Sequence, residues 1–153
     1  MKILFVCRGN VGRSQMGEAI FNKLTDPEAV HTENRKHVVM SAGTRVISKE
    51  GESRNGQLLK DLAPAQQVIE SIGELGVDVS HNARTQLTPS LVEWADKIVS
   101  MAEPHTMPEY LSTSPKMMYW EVRDPKGTPL EEHKAVLNEI QDLVKKFIEE
   151  NSL

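Results

Sequence analysis

The sequence predicts an α/β fold: a small doubly wound, three-layer domain on a four-stranded parallel sheet. Three observations carry that expectation. "KILFVC" (2–7), "HVVMSAG" (37–43) and "DKIVSM" (96–101) are short apolar runs of the kind found in strands covered on both faces. Segments with apolar residues at helical spacing alternate with them, which implies right-handed β-α-β crossovers. A glycine-rich turn joins the first strand directly to the first helix.

Taken in order, the first strand leads into a helix from Arg13, with Met16, Ala19, Ile20, Phe21 and Leu24 at helical spacing. Asp26-Pro27 ends it, because proline has no amide hydrogen and clashes with the preceding turn. After the second strand, Thr44–Leu62 is polar and longer than most connections, with weak helical content near 56–62; such loops are usually functional or mobile. Pro64 opens a helix running to about Leu75, closed by Gly76. Thr88 caps a short helix that has Pro89 in its first turn. "PKMMYW" (115–120) is a fourth strand. Val136, Leu137, Ile140, Leu143, Val144, Phe147 and Ile148 form the apolar stripe of a final helix over 130–148. No repeat or linker divides the chain, so residues 1–153 are expected to form one domain.

Composition narrows the function. The net charge is −4, against the basic balance of most nucleic-acid-binding surfaces. No window holds the ~20 apolar residues that span a bilayer, and "MKILFVC" is too short for a secretion signal. A cytoplasmic protein without nucleic-acid or membrane partners is expected. The single cysteine excludes an internal disulfide and a cysteine-based zinc site. The five histidines show no ligand spacing, so neither metal nor cofactor is expected.

The chemistry concentrates in "CRGNVGRS" (7–14). Cys7 ends a buried strand, where ligands of such sheets bind. Gly9 and Gly12 permit backbone conformations forbidden to other residues, and Asn10 tolerates the left-handed region. Such a turn can aim successive amides of Arg8, Gly9, Asn10, Val11, Gly12, Arg13 and Ser14 at an anion. The start of the helix adds its dipole, and Arg13 adds a planar fork matched to a phosphate-like group. The same field favours a thiolate, lowering a free thiol from about 8.5 to roughly 3.5–7.5 in such settings. Ser14 is placed to hydrogen-bond the sulfur. Cys-x5-Arg alone is a weak signal in a chain with seven arginines; its weight comes from the strand before it and the turn residues inside it. The competing reading of Cys7 is a small buried hydrophobe.

Attack by sulfur on a phosphomonoester expels an alkoxide or phenoxide that needs a proton. Asp124 is the candidate acid, because it follows the fourth strand and so falls at the same sheet edge as Cys7. Asp26 has the same Asp-Pro context but follows a helix. His81 and Arg84 read as solvated side chains.

These motifs have a precedent. "VCRGNVGRSQM" resembles the active-site loop of the low-molecular-weight protein-tyrosine phosphatases and of the arsenate reductases sharing their fold. "SAGT" (41–44), "ELGVDVSHNARTQLT" (74–88), "ADKIVSM" (95–101) and "RDPKG" (123–127) resemble later landmarks in the same order. The resemblance implies a cysteinyl-phosphate intermediate, Asp124 as general acid and then base, and Asn10 with Ser41 holding the loop in shape. A serine that merely ends a strand is the competing reading of Ser41. The implied partner is a phosphorylated protein or small phosphomonoester.

Three departures bear on substrate. Lys126 follows Asp-Pro where the resembled phosphatases carry an aromatic residue. No aromatic residue lies between Thr44 and Val92, leaving Tyr110, Tyr119 or Trp120 as possible substitutes, with core packing the expected role of Trp120. Gly12 stands where many members have a second cysteine, leaving the thiol open to overoxidation or external capping. "RSQM" and Lys126 lean toward the arsenate reductases, which here would require an external thiol or redox partner. Val11 leans toward the tyrosine phosphatases rather than the arginine phosphatases. A non-catalytic phosphate-binding module is the third reading, and it needs neither thiolate nor acid.

Overall fold

The computed structural model describes residues 1–25 and 36–153, so the stop at Asp26-Pro27 lies outside the described residues. The strands are β1 (Lys2–Cys7), β2 (Val38–Gly43), β3 (Lys97–Ser100) and β4 (Met117–Tyr119). They form one parallel sheet in the order β2-β1-β3-β4. The helices are α1 (Arg13–Thr25), α2 (Gln66–Gly73), α3 (Pro89–Trp94), α4 (Glu109–Ser112) and α5 (Leu130–Glu150).

The alternation of side chains along β1 sorts the core into two layers. Ile3 and Phe5 face a cluster containing Met16, Ile20 and Phe21 of α1, Ile72 of α2, and Val136, Ile140 and Phe147 of α5. Leu4 and Val6 face Val92 of α3 and Leu111 of α4. Every residue from Ile3 to Val6 is fully buried, which explains why this strand is apolar throughout. Phe5, Phe21, Trp120 and Phe147 form a chain of ring contacts, with centroids 6.1 to 6.4 Å apart and tilted or edge-on faces.

Several boundaries differ from the sequence reading for local reasons. The fourth strand keeps only three residues, because it pairs with β3 alone and its Met118 and Tyr119 are exposed. The helix expected from Pro64 begins as a 3-10 turn over Ala63–Ala65 and becomes α-helical at Gln66. Thr88 caps α3 as expected, its hydroxyl accepting the Leu91 amide at 3.3 Å. α4 has no counterpart in the sequence reading. The Thr44–Leu62 segment contains a narrow hairpin: Ile47 pairs with Ser53 around Gly51 at φ 83°, and Leu58 pairs with Ala83 further on.

Sheet order determines where a ligand can sit. β1 connects to β2 on one side, and the chain then returns to place β3 on β1's other side. The carboxyl ends of β1 and β3 therefore border the switch point, the crevice that ligands of doubly wound sheets occupy. Cys7 ends β1, and Met101 to Glu103 follow β3.

Candidate active site

Cys7 is 2% exposed at the base of the loop. Its sulfur accepts the Asn10 amide at 3.3 Å and lies 3.0 Å from the Ser14 hydroxyl. That hydroxyl already accepts the Asn10 side-chain amide at 2.7 Å, so its own proton is free for the sulfur. Beyond the sulfur, the backbone amides of Gly9, Val11, Gly12, Arg13 and Ser14 find no acceptor among the described residues. A run of unpaired amides opening a 13-residue helix is a physical basis for anion binding.

Asn10 holds this shape. It is fully buried at φ 55°, in the left-handed region. Its Nδ2 donates to both Ser14 and Ser41 Oγ, the latter at 3.0 Å, and its Oδ1 accepts the Thr85 amide at 2.8 Å. Ser41 Oγ in turn donates to Glu18 Oε2 at 2.9 Å. The competing reading of Ser41 as a plain strand-end serine does not account for these bonds.

The expectation for Gly9 and Gly12 needs correction. Neither has a positive φ, and a methyl group on either meets only ordinary contacts at 3.6 Å or beyond. The glycine that the loop's packing requires is Gly43, at the end of β2. A Cβ there would lie 2.8 Å from the Arg8 carbonyl oxygen and 2.9 Å from the Asn10 amide nitrogen. Both are backbone atoms of the cradle, so Gly43→Ala must displace it. The expected cost is roughly 1–3 kcal/mol of stability, with kcat/KM falling by about tenfold or more through misplacement. Thermal denaturation and steady-state kinetics check both.

Arg13 is 3% exposed and heavily restrained. Its Nη1 donates to the carbonyls of Met101 at 2.6 Å and Val122 at 2.9 Å, and lies 2.8 Å from Glu103 Oε1. Nη2 is 3.9 Å from Asp124 Oδ2. Burial alone would lower the pKa of Arg13, but charge on Cys7 and bonding to Glu103 raise it. Burial likewise would raise Glu103, and its hydrogen bond from Arg13 outweighs this and holds the carboxyl below its ordinary 4.5. The pair therefore adds stability above pH 4.5, which is lost as pH falls through the lowered folded value. Glu103→Gln is expected to lower stability by roughly 1 kcal/mol at neutral pH. The gap from the parent should shrink on acidification, as melting curves from pH 7 to 3 would reveal.

Glu103 was missed in the sequence; the available signal was its position three residues past the end of β3. Arg84 corrects a second expectation. It is 6% exposed rather than solvated, donating to the Gly9 carbonyl at 3.0 Å and to Gln57 Oε1 at 2.8 Å. Burial lowers its pKa, partly offset by charge on Cys7. His81 is exposed, as read.

Asp124 lies with Cys7 and Arg13 on the lining of one cleft of about 840 Å³. Its side chain is 43% exposed, and its Oδ1 accepts the Lys126 amide at 3.0 Å. None of the three aromatic candidates lines this cleft. Trp120 is in the core, Tyr110 bonds the Leu87 carbonyl at 3.3 Å, and Tyr119 borders a smaller cleft on Arg13's other side. Among the described residues, no three His, Cys, Asp or Glu side chains converge as a metal site, and no helix is long and apolar enough to cross a membrane.

A four-stranded parallel sheet carrying such a cysteine loop at its switch point defines the class of cysteine-dependent phosphatases. Comparison with known proteins agrees. Residues 2–152 match the family described as low molecular weight phosphotyrosine protein phosphatase, and the chain belongs to that family. It is 26% identical to a protein-arginine-phosphatase of Bacillus subtilis, over 96% of this chain and 94% of that one. It is also 26% identical to arsenate reductase 2 of Staphylococcus epidermidis, covering 95% and 94% of the two chains. A crystal structure of the low molecular weight protein tyrosine phosphatase from T. tengcongensis superposes with a TM-score of 0.73 at 28% identity, covering 98% of this chain and 99% of that one.

Proposed function

We propose that the chain acts as one phosphatase domain, hydrolysing phosphomonoesters in two steps through a cysteinyl-phosphate. In the first step the Cys7 thiolate forms a bond to phosphorus, and the bond to the leaving oxygen breaks. The loop amides from Arg8 to Ser14, apart from that of Asn10, which stays on the sulfur, and the Arg13 guanidinium hold the remaining phosphoryl oxygens. Asp124 gives its proton to the departing oxygen. In the second step Asp124 removes a proton from water, water oxygen bonds to phosphorus, and the S–P bond breaks to return the thiolate and release phosphate. The Ser14 hydroxyl supports the sulfur as it leaves. Asn10 and Ser41 keep the loop in position.

The carrying observation is the sulfur's environment: a thiol bonded to Asn10 and Ser14 beside five amides that lack acceptors. A structural cysteine would require none of this. The substrate is a phosphorylated protein or a small phosphomonoester, and the reading involves no metal, cofactor, nucleic acid or membrane. A nucleophilic thiol without a second cysteine is preserved by a reducing compartment, which supports a cytoplasmic location.

The lone cysteine leaves one alternative, reduction of arsenate with an external thiol. Assay of p-nitrophenyl phosphate, then of arsenate with candidate thiols, separates the readings. Phosphate release without any added thiol is expected. Arsenite formation strictly dependent on the thiol, with negligible ester hydrolysis, selects the reductase. Phosphate binding without turnover selects a binding module.

A further inference from the structure

The cleft is far larger than a phosphoryl group requires, and its charge is opposite to that of the chain. The molecule carries a net −4, yet the lining of this cleft gathers seven lysine and arginine side chains against two carboxylates, Glu50 and Asp124. Arg13 and Arg84 lie buried beside the cradle, with bonds that hold them there. The other five, Arg8, Arg45, Lys49, Arg54 and Lys126, stand around the mouth. Among the described residues, Arg45, Lys49 and Lys126 make no ion pair, and Arg54 has only a 3.9 Å approach to Glu52.

Arg8 belongs to the cysteine loop itself, and two separate elements deliver the other four. The 45–54 hairpin brings Arg45, Lys49 and Arg54, and its base is fastened to the cradle by the Arg45 amide donating to the Arg8 carbonyl at 2.8 Å. The turn after Asp124 brings Lys126. Val11, Leu62, Pro64 and Val68 supply aliphatic lining to the same cleft, with no tyrosine, phenylalanine or tryptophan among the described lining residues. Cations collected without partners at a concave mouth concentrate anions there. A volume near 840 Å³ falls within the range of small-molecule sites, roughly 300–1,000 Å³.

We propose that the physiological substrate is a small phosphomonoester bearing a second phosphate, held by Arg45, Lys49 and Lys126 while the first occupies the Cys7 cradle. This rests on the phosphatase reading of the cradle. The aliphatic lining receives the body of the molecule, and the second phosphate substitutes for an aromatic ring as the distal recognition element. Guanidinium and ammonium groups from two segments of the cleft lining suit its charge.

The test measures binding separately from turnover. Calorimetry on the full chain carrying Cys7→Ser compares fructose 1,6-bisphosphate with fructose 1-phosphate and fructose 6-phosphate. The bisphosphate should bind at least about tenfold more tightly than either monophosphate, an advantage that declines with salt. Adding Arg45→Glu with Lys49→Glu should bring the ratio close to one. Lys126→Glu, on a separate segment of the cleft lining, should reduce it independently of any change in the hairpin. Equal affinities for mono- and bisphosphates overturn the proposal. So does tighter binding of a phosphotyrosine peptide flanked by acidic residues, which would assign the cations to a protein ligand. Failure of the unsubstituted chain to hydrolyse p-nitrophenyl phosphate would overturn the phosphatase reading, and with it the assignment of a substrate, whereas the affinity ratio does not depend on turnover and tests the second-phosphate site by itself.

Discussion

Replacing Cys7 by serine is expected to lower kcat for p-nitrophenyl phosphate by roughly 10⁴-fold or more, the scale seen when a catalytic nucleophile is removed. A serine hydroxyl is scarcely ionised near neutrality and attacks phosphorus poorly without a base beside it. The loop around Cys7 is held by Asn10, which donates to Ser14 and Ser41 and accepts the Thr85 amide, and these bonds do not involve the sulfur. Inorganic phosphate should therefore still bind with an affinity within a fewfold of the parent. Calorimetry and steady-state kinetics on the same preparation separate the two effects. Retention of a tenth of the parent turnover would remove Cys7 from the mechanism.

Arg13→Lys should cost about 10²–10³-fold in kcat/KM, comparable to loss of one preorganised donor to a charged transition state. Lysine keeps the charge but loses the planar fork. In the parent, Nη1 is anchored by Met101, Val122 and Glu103. That leaves Nη2, with only a 3.9 Å approach to Asp124, and Nε, which has no hydrogen bond among the described residues. One ammonium cannot satisfy these buried acceptors and an oxyanion together. The melting temperature should also fall by a few degrees, as expected for roughly 1–2 kcal/mol in a chain of this size. A kinetic defect below threefold would show that Arg13 is structural and that the amides alone bind the anion.

Glu103 and Arg84 alter how this site is understood. Arg13 is held in place from the end of β3, while Arg84 supports the loop through the Gly9 carbonyl. The loop is therefore held by partners outside the Cys7–Ser14 segment, and in the proposed mechanism little rearrangement is needed to receive an oxyanion. Ser41 joins it through Asn10 and continues to Glu18.

Much of this was legible in the linear sequence, because the relevant signals are short in range. Apolar runs marked β1, β2 and β3, 3.6-residue periodicity marked α1 and α5, and Thr88-Pro89 marked the start of α3. Cys7, Asn10, Arg13 and Ser14 lie within eight consecutive residues, so the loop's hydrogen-bonding potential could be read directly. The place of Asp124 on the same cleft as Cys7 could be read because strand ends in a parallel sheet share one edge.

What required the folded chain was everything brought together across long separations. Arg13 meets the Met101 carbonyl 88 residues away and Val122 109 away, and Arg84 meets Gly9 across 75. No local periodicity reports such pairings. The need for glycine fell on Gly43 rather than on Gly9 or Gly12, because it arises from a neighbouring strand pressing on the loop, not from the loop's own dihedral angles. The basic mouth was hidden for the same reason: its cations are spread over more than a hundred positions and outnumbered in the overall composition. Sheet order and a single hairpin gather them around one sulfur.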